Sequence, residues 1–185
     1  MNNSSVFKTA AISTLLGLSA IAAVGSANAD DAPILPNQDS VSLLQAVALA
    51  ETNTGGITIE AEREVKMGQA IYEIELLGKN GEKVYTAINI QTGDVILTDN
   101  RRKRDEHDDE DDKLEDALFL SGLNSGQYLS LEEVVKQAET QFSGKAWSVE
   151  LDDDHGSLAY EIKLMTVNGK QIETEVNALT SSAAK

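Results

Sequence analysis

From residue 42 onward, polar and apolar positions follow two periods in turn. Leu43, Ala46, Val47 and Ala50 recur at helical spacing, as do Leu131, Val134, Val135, Ala138 and Phe142. Ser42 with Gln45, and Ser130 with Glu133, precede these runs. Both pairs have capping-box spacing, in which the hydroxyl and the side chain three residues on satisfy exposed N–H groups. Gly56 and Gly144 follow as helix stop signals. The period then becomes two. In one stretch Ile57, Ile59 and Ala61, then Tyr72, Ile74 and Leu76, then Val84, Thr86 and Ile88 take one face. In the other, Trp147, Val149 and Leu151, then Tyr160, Ile162 and Leu164, then Ile172, Thr174 and Val176 do the same. One apolar and one polar face is the pattern of an antiparallel sheet covered on one side. Residues 65–69, the Asn80-Gly81 pair and residues 91–94 supply turns, the last leading into a short fourth strand at 95–98.

The two stretches are copies. Sliding the chain along itself by 88 residues aligns Ser42–Asp94 with Ser130–Ser182 without a gap, and about one position in three is identical. Tyr72-Glu73-Ile74 falls on Tyr160-Glu161-Ile162, and Asn80-Gly81 on Asn168-Gly169. Two copies make a tandem pair rather than a solenoid, which needs three or more. The fold class is therefore α+β, with two tandem units, each one helix packed on a three- to four-stranded antiparallel meander. The expected organisation is a signal peptide at 1–29, an N-terminal segment at 30–39, a first repeat at 40–99, a charged linker at 100–113, a short helix and loop at 114–127, and a second repeat at 128–185. The second copy has Ser181 where the first has the turn glycine Gly93, so its last strand is expected to be missing or frayed.

The N-terminus changes where this pair would work. Lys8, an uncharged apolar run over residues 9–24 and the Ala27-Asn28-Ala29 ending have the order of a secretory signal peptide, cleaved after Ala29. The expected location is periplasmic or secreted in a bacterium, without membrane insertion after cleavage. Lys and Arg number 15 against 31 Asp and Glu, a net charge of −16. A basic face for phosphate backbones is excluded, and with it general nucleic-acid binding. Cationic or basic partners are favoured instead. The absence of cysteine removes disulfides and thiolate chemistry.

The helix openings (residues 42–51 and 130–139), the Tyr-Glu-Ile strands and the closing Asn-x-x-Thr-Gly-x-Val of residues 89–95 resemble the PepSY family. The resemblance implies a non-catalytic extracytoplasmic module, a unit found in propeptides of secreted metalloproteases and proposed to modulate peptidases. This chain lacks the His-Glu-x-x-His motif of such proteases and would be a stand-alone version.

Candidate partner-binding residues follow from the polar faces: Glu73, Glu75, Glu161, Lys163, Glu173 and Glu175, for a protein or peptide partner in the envelope. An exposed edge strand could also pair with an extended peptide. The alternative reading is divalent-cation binding by Asp108, Asp109, Glu110, Asp111 and Asp112, which follow a basic run at 101–104. Hard cations take six to eight oxygens, but no Asp-x-Asp-x-Asp-Gly loop fixes their geometry here. Asp152-Asp153-Asp154-His155-Gly156 reads as an acidic turn. His107 and His155 are not framed by a nucleophile motif, and no phosphate loop is present. No catalytic residue and no cofactor are expected, and the oligomeric state is left open.

Overall fold

The structure, a computed structural model, describes residues 38–79, 81–100, 110–154 and 157–180. The signal-peptide reading of residues 1–29, most of the charged linker, His107 and His155 lie outside the described residues. The chain runs α1 (Leu43–Thr54), β1 (Ile57–Lys66), β2 (Gln69–Leu77), β3 (Lys83–Asn89), β4 (Val95–Asn100), α2 (Glu110–Asn124), α3 (Leu131–Phe142), β5 (Gly144–Asp154), β6 (Ser157–Thr166) and β7 (Gln171–Asn177). The fold is α+β, as the periodicity predicts.

Both capping boxes form. The Ser42 and Ser130 hydroxyls each accept from the backbone N–H three residues on, and Gln45 and Glu133 reach back to the cap N–H. Leu43, Ala46, Val47 and Ala50 of α1 and Leu131, Val134, Val135 and Ala138 of α3 pack into one core with Ala61, Tyr72, Ile74, Leu76 and Ile88, and with Val149, Tyr160, Ile162 and Leu164. Tyr72 and Tyr160 are core residues, and the Tyr160 hydroxyl donates to the Leu129 carbonyl. The two sheets merge. All seven strands form one antiparallel sheet in the order β4-β3-β2-β1-β5-β6-β7. At the joint, Ala61 pairs with Val149, flanked by Glu60 with Glu150 and Glu62 with Ser148. Ala61 and Val149 are equivalent positions of the two copies, so the units meet about a local two-fold axis through that pair.

Several features depart from the period-two reading. A register shift between Thr58 and Glu60 recurs between Ala146 and Ser148, at the equivalent place of the second copy. A bulge adds one residue to a strand and re-aims its side chains. Thr58 and Ala146 therefore become fully buried beside these shifts, while Ile59 stays partly buried against the main core. Trp147 leaves the main core and packs with Met165 in a separate cluster. Met165 and Lys163 alternate with the core residues Ile162 and Leu164, which places Trp147 on the open face.

The duplicated glycines also act differently from helix stops. The left-handed helix caps are Gly55 and Ser143, with φ of 73° and 49°. A Cβ on Gly56 would lie 2.9 Å from the Leu77 carbonyl oxygen, and one on Gly144 would lie 3.0 Å from that of Met165. These glycines permit close backbone approach to the neighbouring strand. The run Asp152–Asp154 pairs with Ser157–Ala159, so it continues strand β5 rather than forming a turn. Helix α2 begins at Glu110, inside the segment read as linker. Acidic residues are favoured in a first helical turn by the helix dipole, so an acidic run can open a helix. Phe119 of α2 is buried and stacks on Tyr128 with ring centroids 5.9 Å apart.

Candidate functional site

The joint between the copies makes one continuous open face opposite the helices. Strand register aligns side chains across it. Glu75 pairs with Glu60, Glu60 with Glu150, Glu150 with Glu161, and Glu161 with Glu175. Five glutamates thus form a row over the adjacent strands β2, β1, β5, β6 and β7. A second row runs Glu73, Glu62, Ser148, Lys163 and Glu173 over the same strands. All six residues expected from the polar faces stand in these rows. Glu60, Glu62 and Glu150 complete them at the centre. Sequence reasoning missed Glu60 and Glu62 as site residues and did not single out Glu150. Their signal was the polar phase of β1 and β5, but their role depends on which edges meet.

Neighbouring strands lie about 4.8 Å apart, and like charges directly opposite one another are destabilising. The face answers this in two ways. Lysines intervene: Lys83 lies 3.1 Å from Glu75, Lys66 lies 3.6 Å from Glu73 and pairs with Glu64, and Lys163 lies 3.3 Å from Glu161. The centre also resists ionisation. Burial, then repulsion from Glu150, Glu75 and Glu62, pushes the Glu60 carboxyl up to about 7 against the opposing pull of Lys83. Burial acts to lower Lys163, but Glu161, Glu62 and Glu173 outweigh it and hold its ammonium above the usual lysine range. The Lys163 ammonium lies 6.0 Å from the Trp147 ring centroid, in cation–π range. The indole N–H of Trp147 is buried without a hydrogen-bond partner among the described residues.

This arrangement favours cationic surface. Electrostatic complementarity of this kind steers encounter and fixes register more than it adds raw affinity. Among the described residues no group of three or more His, Asp or Glu has the geometry to hold a metal ion. Of the cation candidates, Asp108 and Asp109 lie outside the described residues, while Glu110, Asp111 and Asp112 open α2. Tyr72 and Tyr160 are pushed well above the usual tyrosine range, chiefly by burial, and lie on the helix side rather than on this face. No helix among the described residues is long and apolar enough to cross a membrane.

Comparison with known proteins bears on both copies. The family described as peptidase propeptide and YPEB domain (PepSY) matches residues 40–99 and 128–180. The chain is 25% identical over 140 residues to the uncharacterized protein YkoJ of Bacillus subtilis (strain 168), covering 76% of this chain and 70% of that one. It is also similar to the crystal structure of a proposed lipoprotein (CD1622) from Clostridium difficile 630, at 15% identity and a TM-score of 0.41, covering 80% of this chain and 93% of the other.

Proposed function

Because this chain belongs to the PepSY family of peptidase propeptide and YPEB domains, we propose that it is a non-catalytic, extracytoplasmic binding module that docks a basic protein partner on its open sheet face. The observation that carries this reading is the row Glu75, Glu60, Glu150, Glu161 and Glu175, which exists only because the two copies join edge to edge. A surface that holds five carboxylates in register, one of them resisting ionisation, gains by meeting cations. The family description points to a peptidase as the partner class. The signal-peptide pattern of residues 1–29 supports a periplasmic or secreted site of action.

The test uses the chain from Asp30 onward and the secreted peptidases of its source organism. The protein is expected to slow one of them, with the effect weakening as salt is raised. Glu150→Gln combined with Glu161→Gln is expected to weaken it by roughly tenfold, the scale of losing close charge pairs at an interface. Inhibition of no such peptidase, together with capture of no envelope protein in a salt-sensitive manner, overturns the reading.

A further inference from the structure

The two units are equivalent up to their third strands and differ beyond them. In the first, the outer edge of β3 is covered by β4, with Val84 pairing with Asn100 and Ala87 with Leu97. In the second, β7 is the equivalent of β3 and ends the sheet, with no strand on its outer edge among the described residues. The frame around it is repeated in part, up to Thr180, whose N–H donates to the Gln127 carbonyl where that of Thr92 donates to the Asn89 side chain. The Asn89 side chain accepts from the Gln91 N–H, and Asn177 accepts from the Leu179 N–H at the equivalent position. The Val41 N–H donates to the Ile90 carbonyl, and the Leu129 N–H to the Ala178 carbonyl. The second unit thus retains part of the surroundings of a fourth-strand position.

We propose that the outer edge of β7 binds an extended basic peptide segment of another protein as an added antiparallel strand. This rests on the reading of the chain as a protein-binding module, and it names a second surface and its mode. An unpaired edge offers a row of main-chain donors and acceptors to an extended segment, with alternate side chains setting specificity. On β7 those positions are distinct. Thr174 and Val176 are buried toward the helices, while Gln171, Glu173, Glu175 and Asn177 are exposed. Glu173 lies beside Lys163, and Glu175 lies beside Glu161. An incoming strand with Lys or Arg at alternate positions would meet Glu173 and Glu175 on the open face. The same charges argue against a second copy as occupant. Antiparallel pairing of β7 with itself about Thr174 sets Glu173 opposite Glu175, a repulsive contact and a familiar device by which edge strands avoid self-pairing.

The probe is a capped peptide of about eight residues that alternates lysine and valine, a length that matches a typical strand. It would be titrated into the isotope-labelled chain from Asp30 onward and followed by amide chemical shifts. Shifts centred on residues 171–177 are expected. A peptide N-methylated on the valines alone and one N-methylated on the lysines alone keep every charge but each lose one row of donors. At least one of the two is expected to bind about tenfold or more weaker, as befits main-chain pairing. Glu173→Lys with Glu175→Lys is expected to weaken the unmodified peptide by a similar factor. Equal binding of all three peptides means attraction to the acidic face alone and overturns the edge proposal. So does absence of peptide binding, or a β7-mediated dimer that the peptide does not displace. Peptide pairing at β7 without any salt-sensitive protein partner sinks the face reading and leaves the edge; the converse sinks the edge alone.

Discussion

Glu60 lies among three other carboxylates, Glu150, Glu75 and Glu62, with Lys83 as the opposing cation. Its folded value near 7 exceeds the ordinary 4.5, so its contribution to stability is fully present below about pH 4.5 and is lost as pH rises through about 7. Glu60→Gln is therefore expected to stabilise the protein at pH 8 by on the order of 1 kcal/mol, a modest figure because Glu60 is partly exposed and solvent screens its neighbours. Urea midpoints at pH 8 and pH 4.5 test this; a gain equal at both would assign the effect to packing. Arg63 presents the opposite case. It makes two hydrogen bonds to Asp39, at 2.8 and 3.0 Å, with side-chain exposures of 9% and 2%. Asp39→Ala leaves that guanidinium buried and unpaired, and a loss of about 3 kcal/mol is expected by chemical denaturation. The second unit has Gln127 and Leu151 at these positions. Asp39→Gln with Arg63→Leu should therefore recover most of the loss, a coupling that a double-mutant cycle reads directly. The acids of the face were legible as polar phase, whereas the Asp39–Arg63 pair was not, because its partners are far apart in sequence.

At the scale of elements, the starts of α1 and α3 were readable, while the start of α2 and the helix ends were not. A capping box is local in sequence, so Ser42 with Gln45 and Ser130 with Glu133 identify themselves. A glycine has two separate uses, left-handed backbone and close approach, and spacing does not distinguish them. Gly56 and Gly144 serve the second, while Gly55 and Ser143 take the left-handed caps. Serine adopts φ of 49° at Ser143 at a steric cost that glycine avoids. Ser143→Gly is expected to stabilise by about 0.5–1 kcal/mol, and Gly55→Ser to destabilise by a similar amount. Thermal melts of the two variants should move in opposite directions. The bulges are hidden for a related reason. Alternation predicts Thr58 and Ala146 as polar-face positions and Trp147 as core, but an inserted residue inverts the phase of what precedes it, burying Thr58 and Ala146 and moving Trp147 out of the main core, and no local motif announces the insertion.

For the whole molecule, the joint between β1 and β5 is short but central. Both units also contribute to one core. Unfolding is expected as a single transition, with the fluorescence of the one tryptophan, Trp147 in the second unit, coincident with far-ultraviolet circular dichroism. Two separated transitions would show that the copies are independent domains. The sequence by itself determined helices α1 and α3, the strand phases away from the two bulges, the capping boxes and the duplication, because these depend on neighbours within a few residues or on self-similarity. It also determined that each unit has an acidic face, since alternation away from the bulges settles which side a residue occupies. Only the tertiary structure decided that β1 meets β5 in antiparallel register, which turns separate acidic strands into one row of five glutamates and leaves β7 at the edge. The reason is physical. Periodicity specifies the face a side chain takes, but its cross-strand neighbour is set by packing between segments far apart in the chain.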